Sequence, residues 1–209
     1  MTDKHRRFLG PVVEMRKLHD SAEQRIVHSA EMLDRKSLAS VGDTTGERLT
    51  ALLTETKAHT PEELAANVAR IGELLGRFAL YVPARFTDDP AEQAKYWAVR
   101  SGIFPAVGGS RPAGTTCLSE DVAFHIEDLP RATAELQALI ARHGYDACIY
   151  GHALEDNYHF IINQSFSPPA EVARYEALMN DVAELVSAGT TARSKPSMAR
   201  GATWRPSSA

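Results

Sequence analysis

The chain has 209 residues, of which 44% are hydrophobic and 24% are charged, a composition typical of an ordinary soluble domain. Its formal net charge of −4 argues against a strongly basic nucleic-acid-binding surface, and no run approaches the roughly 20 apolar residues of a membrane span. The only two cysteines, Cys117 and Cys148, are too few for a disulfide framework. We expect free buried thiols and a cytoplasmic location.

The first 48 residues are weakly patterned and predict an N-terminal extension that is partly helical. Apolar residues at irregular spacing favour a helix within residues 11–35. The stretch "VGDTTGER", residues 41–48, is typical of a loop. A domain is therefore predicted to begin at residue 49.

From residue 49 the predicted order of elements is β-α-β-α-β-α-β-β-α. The first strand is "LTALLTET", residues 49–56, and a helix follows it. Thr60 is the expected N-cap of that helix, Glu63 completes a capping box, and Gly76 ends it. The apolar run "FALYVP", residues 78–83, predicts the second strand.

The later elements are predicted from caps, alternation and turn residues. They are a helix from 88 to 100, a glycine-rich loop at 106–116, a strand at 116–126, a helix at 129–143 closed by Gly144, strands at 147–153 and 157–163, and a last helix ending at Val186.

This order predicts an α+β fold, with a ferredoxin-like antiparallel sheet and helices packed on one face. The domain is expected to span residues 49–186. Residues 187–209 contain no Leu, Ile, Val, Asp, Glu or His, so they offer no core face and are predicted to be a disordered tail.

The motif "GHALEDNYH", residues 151–159, holds two histidines. If the hairpin centre lies between Glu155 and Asp156, His152 and His159 face each other across the two strands, close enough to share one metal ion. A catalytic zinc site usually has three protein ligands, so a third must come from elsewhere. On spacing alone, a surface hairpin that carries two ordinary histidines is the simpler interpretation.

Three linked motifs resemble the C-terminal domain of FAD-linked D-2-hydroxyacid dehydrogenases, the D-lactate dehydrogenase (cytochrome) type above all. They are "YWAVRSGIFPAVG" (96–108), "TTCLSEDVAFHIEDL" (115–129) and "GHALEDNYHF" (151–160), and "MLDRKSLASV" (32–41) resembles the start of that domain. The resemblance covers about residues 28–186.

The resemblance implies a cap domain that binds a small 2-hydroxy acid beside an FAD held by a separate domain or chain. It assigns His152 and His159 as ligands of a divalent metal such as zinc or manganese. It also makes His159 the catalytic candidate and Arg100 the clamp for the substrate carboxylate. It assigns no residue of this chain to FAD binding, and it implies neither a nucleic-acid partner nor a membrane span.

Three departures from the family pattern stand out. Asp156 occupies a position where the family commonly has glycine, which matters if the backbone there has positive φ. The first 48 residues leave no room for an FAD-binding domain, so we expect a fragment that is inactive alone. The tail lacks the family's A-E-H-G glutamate, the remaining metal ligand, which suggests a frameshift near Val186.

Two alternatives therefore stay open beside the dehydrogenase fragment. In the first, the domain is a non-catalytic module that binds a small acid or a metal. In the second, it is a subunit that a separate FAD-domain chain completes. A third hypothesis is an unrelated β-α fold that happens to contain a histidine hairpin.

Overall fold

The computed structural model describes residues 3–20, 25–42 and 50–190. Its helices are α1 (Asp3–His19), α2 (Arg35–Ser40), α3 (Pro61–Leu75), α4 (Pro90–Gly109), α5 (Leu129–Arg142) and α6 (Pro169–Thr190). Its strands are β1 (Ser29–Leu33), β2 (Ala51–Glu55), β3 (Thr116–Ala123), β4 (Cys148–His152) and β5 (Asn157–Gln164).

The strands form one sheet in the order β2-β1-β4-β5-β3, and every neighbouring pair is antiparallel. β3 and β5 pair along their whole length, from Thr116 opposite Gln164 to Ala123 opposite Asn157. The predicted α+β class with an antiparallel sheet is therefore confirmed.

The larger core cluster lies on one face of this sheet. Because successive strand side chains point to opposite faces, Tyr158, Phe160 and Ile162 of β5 share that face, and all three are fully buried. Residues of α1, α3, α5 and α6 belong to the same cluster, including Val12, Ile71, Leu136 and Leu178. Four helices thus cover one face.

A smaller cluster lies on the opposite face. Ile161 of β5 meets Leu38 of α2 there, together with Ile103 and Val107 of α4, which are one helical turn apart. The expected packing of helices on one face therefore holds for α1, α3, α5 and α6, whereas α2 and α4 lie against the second face. This placement brings Arg100, on the turn of α4 before Ile103, to the same side of the sheet.

The predicted caps of α3 are confirmed. The Thr60 hydroxyl accepts a hydrogen bond from the Glu63 backbone nitrogen at 3.2 Å, while the Glu63 carboxylate accepts one from the His59 nitrogen at 2.9 Å. Gly76 is the C-cap residue. The helix predicted at 129–143 is also confirmed as α5, whose C-cap residue His143 is followed by Gly144 at a φ of +74°.

Two predicted elements are wrong. Residues 78–83 form no strand, and Leu80, Tyr81 and Val82 are exposed, because the segment pairs with no strand of the sheet. The helix predicted within 11–35 ends at His19, and residues 29–33 form β1 instead. Irregular apolar spacing there reflects an element change, since β1 is buried on both faces and shows no helical period.

The glycine-rich stretch at 106–116 is only partly a loop, because α4 continues to Gly109 and contains Pro105. Helix α6 likewise continues past Val186 to Thr190. The rest of the predicted tail, residues 191–209, lies outside the described residues. At the other end, β1 pairs with both β2 and β4, so the sheet includes residues before position 49.

Both cysteines are free thiols, Cys148 buried and Cys117 partly exposed. Burial raises the pKa of the Cys148 thiol to about 12, so it is uncharged at neutral pH. Among the residues that the structure describes, no helix is both long enough and apolar enough to cross a membrane.

Candidate functional site

The two histidines of the hairpin lie on the same sheet face, but they do not face each other. Tyr150 is the direct partner of His159, so the hairpin centre lies between Leu154 and Glu155 rather than one residue later. A shift of one residue in the centre moves the partner by two positions and keeps both side chains on one face. The rings of His152 and His159 stand edge to face, with centroids 5.6 Å apart.

The turn explains this register. The Ala153 nitrogen donates to the Ala30 carbonyl at 2.8 Å, and the side chains of Ala153 and Leu154 are buried. Asp156 closes the turn with a φ of +61°, the positive value at which the family's glycine would be favoured. The apolar half of the turn is thus held against β1, which shifts the centre toward Leu154.

Glu31 is the residue that sequence reasoning missed. It lies on β1 directly opposite His152, and its side chain is only 4% exposed. One carboxylate oxygen is 2.6 Å from His152 Nδ1, and the other accepts a hydrogen bond from Arg100 Nε at 3.1 Å. The sequence signal for this residue is a single acidic side chain inside the apolar run "AEML". The prediction of a helix over this segment obscured that signal.

Arg100 lies between this carboxylate and an aromatic ring. Its guanidinium carbon is 4.9 Å from the centre of the Tyr150 ring, a cation–π distance. Burial raises the pKa of the Tyr150 hydroxyl, and the nearby guanidinium opposes that shift. Within the described part of the chain, the terminal nitrogens Nη1 and Nη2 of Arg100 make no hydrogen bond, so this pair is available to a ligand.

His159 has a carboxylate partner of its own. Asp121 of β3 lies directly opposite it, and the Asp121 carboxylate contacts His159 Nδ1. On the other side, the Tyr150 ring lies 5.4 Å from the imidazole, centroid to centroid. A row of side chains therefore crosses β4, β5 and β3 on this face, and Asp121 also was absent from the predicted site.

Both histidines use Nδ1 to contact a carboxylate. In a neutral imidazole, donation from Nδ1–H to a carboxylate leaves Nε2 as the unprotonated acceptor. Each ring can then offer Nε2 either as a base or as a metal ligand. The site therefore combines the permanent cation Arg100 with two imidazoles that can act as acceptors. The His152 side chain is 42% exposed.

The donor set does not complete a metal site. In the residues that the structure describes, no group of three or more His, Cys, Asp or Glu side chains is arranged to hold a metal ion. His152 and His159 provide two nitrogens, whereas catalytic zinc usually takes three protein ligands. The third ligand was expected from the family's counterpart of the C-terminal tail, and residues 191–209 lie outside the described part.

Comparison with known proteins gives a family and a fold. The family described as FAD linked oxidases, C-terminal domain, matches residues 15–190. A solved structure of a 4-ethylphenol oxidase from Gulosibacter chungangensis, in complex with isoeugenol, is similar with a TM-score of 0.53 and 11% identity. The match covers 92% of this chain but only 43% of that oxidase, so the chain spans less than half its length. No curated protein matches this chain.

Proposed function

The chain belongs to the family of FAD-linked oxidase C-terminal domains, and on that premise we propose that it is the substrate-binding domain of an FAD-dependent dehydrogenase for small D-2-hydroxy acids. Membership of this family supports a role in an oxidoreductase. The D-lactate-like substrate is the finer part of the proposal, and it rests on the site.

One observation carries this assignment. Arg100, His152 and His159 come from α4, β4 and β5, yet they lie together on one sheet face. A 2-hydroxy acid has a carboxylate at C1 and a hydroxyl at C2, which need a cation and a proton acceptor side by side. The cluster contains both, linked through Glu31, which contacts Arg100 and His152, and through Tyr150, which lies against Arg100 and His159.

Each side chain has a definite part in the proposed reaction. The end-on pair of Arg100 nitrogens is suited to bidentate binding of the substrate carboxylate. Nε2 of His159 accepts the C2 hydroxyl proton, while the contact of Nδ1 with Asp121 holds the ring in that tautomer. When FAD is bound, it supplies the acceptor for the hydride that leaves C2, so that the acid becomes a 2-oxo acid.

Exposed aromatic side chains lie near Arg100 on the same helix. Helix α4 exposes Tyr96, Trp97 and Phe104 on the turns before and after Arg100. Aromatic side chains of this kind offer apolar area with a defined stacking geometry. Their exposure supports the approach of an aromatic group from the same helix that carries the proposed carboxylate clamp.

A binding titration followed by backbone NMR tests the substrate class. D-lactate should shift signals at Arg100, His152 and His159, and Arg100→Lys should weaken its binding by about tenfold, because a bidentate contact is lost. Arg142→Lys is the matched control. Arg142 lies outside the cluster, and its guanidinium forms a 2.8 Å ion pair with the carboxylate of the exposed Asp181. No response to D-lactate would contradict the proposal.

Two further ligands separate the alternatives. Propionate has the carboxylate without the hydroxyl, and equal binding of propionate and D-lactate would favour a small-acid binding module. Preferential binding of 4-ethylphenol would instead favour the substrate of the structurally similar oxidase. Mixing the chain with a flavin-binding domain, and finding D-lactate-dependent dye reduction, would support a subunit completed by another chain.

A further inference from the structure

Glu31 connects the two kinds of chemistry in the site. It stands opposite His152 across the β1–β4 pair, and it is 69 residues from Arg100 in the chain. Its two carboxylate oxygens are divided between the two partners, one for each. Tyr150 also lies against the guanidinium and an imidazole, that of His159, but it contacts them with its aromatic ring rather than with a carboxylate.

The burial of Glu31 makes these contacts obligatory. A carboxylate that is 4% exposed has lost its hydration, and removing it from water is unfavourable unless charge and hydrogen bonds compensate. Arg100 is permanently charged and provides the compensating charge. His152 therefore need only donate a hydrogen bond, which a neutral ring with a proton on Nδ1 does.

The same carboxylate also orients the guanidinium. Glu31 holds the Nε edge of the Arg100 guanidinium, and the Tyr150 ring lies against the face of the same group. What is left is the terminal pair of nitrogens, the pair that grips a carboxylate end-on. Glu31 thereby selects which side of the fork is offered to a ligand.

We propose that Glu31 is a positioning residue that couples the two halves of the site. It holds His152 in the tautomer with a free Nε2 and holds Arg100 with its terminal nitrogens free. This inference uses the proposed function only for the identity of the ligand, because the coupling itself concerns three side chains of this chain.

Nitrogen-15 NMR of the histidine and arginine side chains tests the coupling without substrate or flavin. At a pH where the imidazole is neutral, His152 in the wild type should carry its proton on Nδ1. In Glu31→Gln the amide group can donate to Nδ1, so the proton should move to Nε2. Exchange of the Arg100 Nε proton should become about fivefold faster, because a neutral acceptor binds it less strongly than a carboxylate.

Glu55→Gln is the matched control. Glu55 lies on β2, and its side chain contacts Ser29 and Lys57 but none of the cluster residues. Both signals should be unchanged in this variant. A wild-type His152 with its proton on Nε2 would overturn the proposal, and that measurement needs no variant even if Glu31→Gln fails to fold. An unchanged signal from either His152 or Arg100 in Glu31→Gln would overturn it as well.

The outcome separates this inference from the proposed function. If the tautomer shifts in Glu31→Gln but D-lactate does not bind the wild type, the positioning role stands and the substrate class is wrong. If D-lactate binds but the tautomer does not shift, the substrate class stands and the role of Glu31 is wrong.

Discussion

The guanidinium of Arg100 lies over the ring of Tyr150, 4.9 Å from its centre, while its Nε donates to the buried Glu31 at 3.1 Å. A helix residue is thus fixed to two different strands of the sheet, β4 and β1. This contact joins α4 to the face that carries both histidines, so the stability of the domain and the geometry of the site depend on the same side chain.

Loss of Arg100 should therefore destabilise the fold as well as the site. In Arg100→Ala the Glu31 carboxylate is left buried without its cation, and we expect the free energy of unfolding to fall by about 2–3 kcal/mol. Urea denaturation measures it. Arg142→Ala removes an ion pair of exposed partners and should change stability by no more than about 0.5 kcal/mol. Equal effects of the two variants would contradict the buried-pair argument.

Gly151, between Tyr150 and His152, should tolerate no side chain. Its φ is +148°, and an added Cβ would lie 2.8 Å from the Asn157 carbonyl oxygen. We expect Gly151→Ala to lower the free energy of unfolding by about 2 kcal/mol or more. Gly72→Ala is the control, because Gly72 lies inside α3 with nothing within 4 Å of an added Cβ. That variant should be stabilised by about 0.5–1 kcal/mol.

Asp156 adopts the left-handed conformation, and a pair of variants isolates its backbone strain. Asp156→Gly and Asp156→Ala both lose the 3.3 Å ion pair with Arg16. Glycine has no Cβ to clash at a φ of +61°, so Asp156→Gly should be the more stable of the two by about 1 kcal/mol. Thermal denaturation would show it. Alanine equal to or better than glycine at this position would argue against the φ assignment.

Asp34 should make stability depend on pH. It is the buried N-cap of α2, accepting from the Ser37 nitrogen at 2.8 Å, and burial raises the pKa of its carboxyl. A raised carboxyl pKa favours the protonated native state, so this contribution is complete below about pH 4, the ordinary value for aspartate. It is lost as the pH rises through the higher native pKa. Asp34→Asn keeps the cap and should gain stability relative to wild type as the pH rises through that interval.

Asp181 gives the opposite sign and serves as the reference for that experiment. A hydrogen bond from His143, and then one from Arg142, lowers the pKa of its carboxyl. Its contribution is present above the ordinary aspartate pKa and is lost as the pH falls through the native value. Asp181→Asn should therefore lose stability relative to wild type as the pH rises toward about 4, below the interval in which Asp34 acts. Parallel curves for the two variants would contradict both assignments.

The sequence by itself determined the elements whose information is local. Thr60, Glu63 and Gly76 lie within a few residues of the helix ends they define, and α3 begins and ends accordingly. The strand period of two placed His152 and His159 on one face, and that relation survives a shift in hairpin centre because the shift moves the partner by two positions. The α+β class followed from the same local patterns.

Only the tertiary structure decided the register and the composition of the site. The burial of Leu154 and the hydrogen bond from Ala153 to β1 set the turn, and neither can be read from the hairpin alone. Glu31 meets Arg100 because β1 pairs with β4 while α4 packs on the same face, contacts that join residues 69 positions apart. A buried carboxylate selects its partners by proximity in space, and that proximity is a property of the assembled sheet.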